Sequence, residues 1–288
     1  VASDVYKGTE RDGDAPSILD NLCGFALAVM KRIDEDGMEV NRTRSLISAS
    51  HPSLADAMAA RMGNLALAIS HRVKSLGVGL AAGTARNTMV QNARLKNFKQ
   101  RLPRYRMFRR VWVNTAMLVL TGGVSALMHG LHTIGVSPST LRSQRSAVAA
   151  AGAPVSGRGG QELNLALVIA DSSPKGKADP AFTGNTDVLH HWALAIWNNW
   201  IPRHLLQMSL TDAKARLAGA KQPWSVTYGP AAALVGTAER LGLSVQYAST
   251  ITSDSGRVFC LDEDPPVVLA RMANEAVRRW RWKQVAEQ

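Results

Sequence analysis

Residues 94–110 read RLKNFKQRLPRYRMFRR, and the organisation of the chain turns on how that stretch folds. It holds eight cations, Arg94, Lys96, Lys99, Arg101, Arg104, Arg106, Arg109 and Arg110, and no anion. Phe98, Tyr105 and Phe108 are interleaved with them. Pro103 lacks an N–H and its ring crowds the preceding turn, so it breaks a helix. The stretch therefore predicts a long basic helix over about 85–102 and a second over about 104–121. A solvated helix face normally mixes both signs, because opposite charges three or four residues apart stabilise it. Eight like charges repel, and such a run makes sense when a polyanion supplies the missing charge. The competing readings are an idle basic surface and a nuclear-import signal.

The charge around this stretch is uneven. Residues 1–60 carry six basic and ten acidic side chains, 61–145 fourteen basic and none acidic, and 146–288 fourteen basic and twelve acidic. The whole net charge of +12 thus lies in the block between Asp56 and Glu162. With 46% hydrophobic and 19% charged residues among 288, the chain can bury a core and is not a disordered type. Two cysteines, Cys23 and Cys260, cannot build a disulfide framework or a four-cysteine zinc site, and core filling is expected of them. No secretory signal opens the chain, so an intracellular place, nucleus or cytoplasm, is expected. Val111–Leu141 is free of charged residues and long enough to span a bilayer. Its polar residues and the Gly122–Gly123 pair favour buried short helices over a membrane span.

Working outward, Ile18, Leu22, Phe25, Val29 and Ile33 predict an amphipathic helix over 15–36, with Asp14 as cap and Gly37 as stop. Residues 38–50 read as extended, and HPSLADAMAARMG as a short helix closed by Gly63. Strands are predicted at Leu65–Ser70 and Val73–Leu80. Ser137-Pro138 starts a helix that decays into AVAAAGA. GAPVSGRGG, residues 152–160, reads as a linker. Helices with Trp192, Trp197 and Trp200 follow, then a hairpin over 243–261 turning at Asp254-Ser255-Gly256, and a last helix after Pro265 with Val268, Met272, Ala276, Val277 and Trp280 on one face.

Several chemistries are excluded by pattern. There is no hydrolase elbow, and Ser173-Pro174-Lys175-Gly176-Lys177 lacks the spacing of a phosphate loop. His190-His191 and the pair His129/His132 each lack a third ligand at useful spacing, so no metal site is expected. Asp262, Glu263 and Asp264 precede a helix and read as capping carboxylates.

One ordered series carries a resemblance. A helix ends in Asp36-Gly37. Then follows Met38-Glu39-Val40-Asn41-Arg42-Thr43-Arg44-Ser45, and about thirty residues later Val73-Lys74-Ser75-Leu76-Gly77-Val78, then a basic helix. This resembles the back half of a reverse transcriptase palm, closest to the non-LTR retroelement type. There a helix ending in Gly is followed by Leu-x-Leu-Asn-x-x-Lys-Thr, a Tyr-Leu-Gly-Val hairpin and the helical thumb. The resemblance covers about residues 15–150. VSPSTLRSQRSAVAAAGA and the Trp-rich tail look like the downstream region of such proteins.

The resemblance implies an α+β, predominantly helical fold. It implies a rear palm-like segment with a short hairpin (1–83), a basic thumb-like segment (84–151), a linker (152–160) and a helix-rich α+β C-terminal domain of unknown role (161–288). It implies that the eight cations hold primer-template nucleic acid, RNA, DNA or hybrid. By position, Arg44 matches the motif lysine that serves as a proton donor to pyrophosphate, and Leu76-Gly77-Val78 matches the turn that supports the primer end. Arginine stays protonated too firmly to be a ready donor, though it still neutralises phosphate. Polymerisation needs carboxylates that clamp two metal ions, and the family takes two of them from a Tyr-x-Asp-Asp hairpin. VASDVYKGTERDGD has no Asp-Asp pair. The expectation is a piece of a longer polyprotein that follows its polymerase segment, binds no cofactor itself (Mg²⁺ belonging to a full-length homologue) and is inactive alone. The alternatives are a non-catalytic nucleic-acid-binding module unrelated to polymerases, and a membrane or structural protein centred on 111–134.

Overall fold

The computed structural model describes residues 15–38, 45–49, 51–63, 67–75, 77–81, 86–111, 115–152, 161–165 and 178–287. Asp14, Arg44, Leu76, the 153–160 part of the expected linker and the 173–177 segment lie outside the described residues. The described residues are mainly helical with a few short strands, an α+β, helix-rich fold. The chain divides into two compact units, Val1–Ser75 with Gly79–Asn87, and Leu76–Val78 with Thr88–Gln288.

In the first unit, α1 (Ala15–Glu35) packs against α2 (Pro52–Arg61). Gly37, at φ +73°, ends α1 as expected. The buried stripe is Leu19 and Cys23, with Ala26 and Met30 half-buried beside them against Met62 and Met58. The expected face through Phe25 and Val29 is instead 41% and 40% exposed there. Apolar residues occupy two adjacent stripes of α1, and spacing alone does not choose between them; contact with α2 does. Cys23 is buried and its thiol is pushed up by that burial, as suits a core filler. Arg61 pairs with Asp20 across the two helices.

Short strands complete this unit. β1 (Leu46–Ile47) pairs in parallel with β2 (Ala68–Ile69), with α2 as the crossover. The stretch read as one strand over Val73–Leu80 is two, β3 (Arg72–Ser75) and β4 (Val78–Ala81), with Gly77 between them at φ +83°. A positive φ is cheap only for glycine, and this breaks the run. Asn87 Nδ2 ties the pair together, donating to Leu80 O at 2.8 Å and Val73 O at 3.3 Å.

The second unit starts with α3 (Met89–Gln100) and α4 (Leu102–Arg110), with Pro103 in the first turn of α4. The predicted 104–121 helix is not continuous. It ends at Arg110, and a new helical stretch begins at α5 (Thr115–Leu118), passes through a π-helical segment (Val119–Val124) and continues as α6 (Ser125–Met128). Gly122 and Gly123 lie in the π segment. Phe98 of α3 fills the space over Gly123, where a Cβ would lie 2.7 Å from Phe98 Cε2. Then come α7 (Leu131–Ile134), α8 (Pro138–Gly152) and α9 (Gln161–Asn164). Among the described residues no helix is long and apolar enough to cross a membrane. Val111–Leu141 instead supplies buried Val119, Val124, Leu127, Met128, Leu131 and Ile134 to one core.

A second core gathers α10 (Pro180–Trp197), α11 (Arg203–Ala218), α12 (Gly229–Leu241), a three-stranded sheet and α13 (Pro266–Ala286). The sheet is β5 (Ser244–Val245), β6 (Thr250–Thr252) and β7 (Val258–Cys260), antiparallel in that order. Val245, Ile251 and Phe259 lie opposite one another in register and are all buried. The expected turn at Asp254-Ser255-Gly256 joins β6 to β7. Asp264 does not cap α13. Its Oδ2 accepts from Cys260 N at 2.9 Å, and Asp262 pairs with Arg203 at 2.5 Å.

The two cores lie in one compact unit. Trp280 packs against both cores, and α7 packs on α10 and α12. A buried charge cluster joins the same elements. Arg145 of α8 donates through Nε and Nη2 to the two Asp179 oxygens at 2.9 Å each, and through Nη1 and Nη2 to Glu162 of α9. Asp179 is fully buried and also caps α10, accepting from Ala181 N at 2.9 Å. Arg281 Nε of α13 lies 2.8 Å from Asp179 Oδ2, close enough to pair but off-line for a hydrogen bond. The guanidinium of Arg145 sits 5.2 Å from the Trp280 ring, and that of Arg281 5.2 Å from the Phe182 ring.

Arg145→Met should destabilise the second unit by roughly 3–5 kcal/mol, because Asp179 and Glu162 would stay buried with too little positive charge; denaturant unfolding measures it. Gly123→Ala should cost about 1–3 kcal/mol by forcing Phe98 aside. Gly122→Ala, with open space around its Cβ, should be neutral or stabilise by up to about 1 kcal/mol. Equal effects of the two in thermal melts would contradict the packing at Gly123.

Candidate nucleic-acid interface

Helix α3 has two faces. Gln91 and Phe98 are buried and Arg94 is half-buried between them. Asn92, Lys96, Lys99 and Gln100 follow at helical spacing on the other side and, with Leu95 at the edge of the core, line an open depression of about 490 Å³. On α4, Leu102 and Tyr105 turn inward onto the core, and Tyr105 stands 5.7 Å from Phe98. At 100° per residue this leaves cations on both flanks of the inward stripe, Arg101 and Arg104 on one, Arg106 and Arg110 on the other.

The structure thus separates the eight expected cations into different jobs. Lys96, Lys99, Arg101, Arg104, Arg106 and Arg110 are exposed, and among the described residues none of the six forms an ion pair or a side-chain hydrogen bond. The side chain of Arg109 lies outside the described residues. Arg94 is a structural strut. Its Nη2 donates to Gly77 O at 2.7 Å and its Nη1 to His129 O. Burial lowers its pKa, and two carbonyls accept hydrogen bonds from the charged group.

Two further cations of the basic block are drawn in, Arg145 fully and Arg86 in part. Arg145 is buried in the charge cluster, and burial pulls Arg86 down to about 10. The three aromatics divide likewise, with Phe98 and Tyr105 anchoring the helices and Phe108 exposed beside the cations. An exposed ring amid unpaired guanidinium groups is the composition that stacks bases and neutralises phosphates.

Of the other expected site residues, Arg44 and Leu76 lie outside the described residues. Gly77 does not face open space. A Cβ there would meet Arg94 Nη2 at 2.9 Å and His129 Cδ2 at 3.2 Å. Val78 in turn fills the space over Gly130, where a Cβ would lie 2.6 Å from Val78 Cγ2. The close approach that a glycine permits is spent on the protein's own side chains.

The two histidine pairs, read apart in the sequence, come together. His132 and His191 stack with ring centroids 4.0 Å apart and planes 9° from parallel, and His190 stands edge-on to His191. His191 Nδ1 lies 2.8 Å from Asp187 O. Stacked rings point their nitrogens sideways rather than at a common point. Among the described residues no group of three or more His, Cys, Asp or Glu is placed to hold a metal.

Burial, then the neighbouring His191 and His129, lower His132 to about 4. The unfolded chain takes up this proton near pH 6.5 and the folded one does not, so stability is full above that and falls as the pH drops towards 4. His132→Gln should flatten this part of the stability profile, measured as denaturant midpoint against pH; an unchanged slope would mean that His132 is not the group responsible. No family model, no curated protein and no solved structure matches this chain.

Proposed function

We propose that this chain grips nucleic acid through the exposed cations of α3 and α4, as the rear palm and thumb of a retroelement reverse transcriptase, without polymerising by itself. The observation that carries the grip is the set of six exposed cations left without a partner among the described residues. Cations held this close together on two short helices cost repulsion unless an anion is bound, and a phosphate backbone spaces its charges at similar intervals. Lys96 and Lys99 lie one helical turn apart, as do Arg101 and Arg104, so consecutive contacts can follow one strand. Phe108 offers a ring to an unpaired base.

The order of elements supports the polymerase part of the proposal. A glycine-stopped helix is followed by short strands, a hairpin turning at Gly77 and then basic helices, the order in which the family's palm leads into its thumb. One observation favours a second reading, a nucleic-acid-binding module of another lineage. The parallel pairing of β1 with β2 through α2 is no part of the pattern that carries the resemblance.

Replacing Arg101, Arg104, Arg106 and Arg110 by Ser should weaken binding to a primer-template duplex and shallow the plot of log K against log salt by about 0.9 per lost phosphate contact. An unchanged slope would remove the belt from the interface. No metal-dependent nucleotide incorporation is expected of the purified chain on a primed RNA template. Measurable extension would overturn the inactive assignment, and a preference for hybrid duplex over single strands would separate the polymerase lineage from the unrelated module.

A further inference from the structure

A second place in the larger unit has the ingredients of a binding site. A cleft of about 450 Å³ opens where α8, α9, α12, α13 and the 3₁₀ turn at Pro223–Ser225 meet. That volume lies within the roughly 300–1,000 Å³ of small-molecule sites. Trp224 and Trp280 line it.

Both indoles are held by their neighbours, and two of these, Arg145 and Arg240, also line the cleft. Trp224 is seated against two glycines, where a Cβ on Gly236 would lie 2.9 Å from Cζ2 and one on Gly135 3.1 Å from Cζ3. The Arg240 guanidinium lies 4.8 Å from the Trp224 ring centre and is itself held by Asn185 Oδ1 at 2.8 Å and by Val136 O. Trp280 lies over Arg145, which the buried carboxylates pin. These rings cannot collapse into the cleft without breaking those contacts.

Two charged groups at the cleft remain uncommitted. Arg142 and Glu239 are exposed and, among the described residues, neither side chain has an ion-pair or hydrogen-bond partner. Beside the committed Arg145, Glu162 and Arg240, the lining offers two aromatic rings held by these contacts and, among the described residues, one guanidinium and one carboxylate without a partner. Indoles stack on planar heteroaromatic rings, and a guanidinium takes phosphate through paired N–H donors. A carboxylate accepts from the exocyclic amine of a base and repels a second phosphate.

We propose that this cleft binds a single nucleotide, with its base against Trp224 and Trp280, its phosphate on Arg142 and its amino group on Glu239. The nucleotide arrives free or as an unstacked unit of a strand. The strand source rests on the nucleic-acid grip proposed for α3 and α4; the cleft's own chemistry does not.

Cytidine 5′-monophosphate titrated into the full chain, followed by calorimetry, tests it. Saturable one-to-one binding is expected, weakened about tenfold by Arg142→Gln and by more in Trp224→Leu, with the serine variant of the belt unchanged. Arg142 is exposed, so its variant should keep the wild-type melting temperature. Absence of saturable binding, or an affinity within twofold of wild type in a folded Arg142→Gln variant, would overturn the proposal.

A single-stranded oligonucleotide separates the sources. Weakening of its binding by Arg142→Gln as well would mean that the cleft takes a unit of the strand, and an effect on the monophosphate alone would mean that it takes free nucleotide. Monophosphate binding without oligonucleotide binding would sink the grip on α3 and α4 and leave the cleft. Oligonucleotide binding that only the belt variant abolishes, with no monophosphate binding, would do the reverse.

Discussion

The larger unit depends on the buried contact between Arg145 and the carboxylates of Asp179 and Glu162. Each of these ions is taken out of water, at a cost of several kcal/mol that only close, well-directed partners offset. The geometry meets that condition through four hydrogen bonds from one guanidinium. Burial works against the charge on Arg145, but Asp179 and Glu162 outweigh it and hold the group above its ordinary pKa. For Arg281 the balance is reversed: burial leads, Arg145 adds repulsion, and the pKa is lowered. Arg145 is thus the keystone and Arg281 the balancing charge that brings two carboxylates and two guanidinium groups to neutrality. Because these four residues come from α8, α9, the start of α10 and α13, one electrostatic knot fixes how the two cores meet.

That knot changes what the basic block means. A count over residues 61–145 treats fourteen cations as equivalent. Arg145 is committed to the knot, Arg94 to the carbonyls of Gly77 and His129, Arg86 is partly desolvated, and Arg61 pairs with Asp20. What remains for a partner is a narrower set, most of it on or between α3 and α4. Their position is held from inside by Phe98 and Tyr105, and Phe98 reaches its place only because Gly123 has no side chain. Gly123, within the π-helical segment, is therefore tied to the seating of α3: its missing side chain leaves the room that Phe98 fills.

Much of the helical framework was legible in the sequence because its signals are local. Pro138 starts α8, Pro103 separates α3 from α4, Gly37 stops α1, and Asp254-Ser255-Gly256 turns a hairpin. The errors fall where local spacing leaves two answers open. α1 has apolar residues on two neighbouring stripes, and only α2 shows that Leu19 and Cys23 go inside. Val73–Leu80 is apolar enough for one strand, and only the positive φ at Gly77 divides it. Asp264 has the place of a helix cap but serves Cys260 instead. At the candidate sites the belt was visible by composition. The role of Arg94 was not, since nothing in RLKNF distinguishes a strut from a phosphate ligand. Asp179-Pro180, an N-cap pair at a helix start, was a readable signal for one member of the knot; Arg145 stands 34 residues from Asp179 and 17 from Glu162 in sequence, and neither it nor Glu162 carries such a signal.

The grip and the polymerase ancestry stand on different physics, and so they can fail separately. Grip needs only positive potential at a surface, which falls off over about 8–10 Å at ordinary salt and is indifferent to fold. Ancestry needs the order of elements and the close turn at Gly77. In this chain the space beside that turn is taken by Arg94 and His129, so a primer end approaching the Gly77 backbone would have to displace a guanidinium bound to two carbonyls. Such a displacement removes hydrogen bonds from a half-buried arginine, and a phosphate arriving at the same place would replace them with stronger, charge-assisted ones. Arg94 is thus the residue at which the two ideas meet. As a strut it belongs to the fold alone, and as a group released to a phosphate it would couple the turn to the belt.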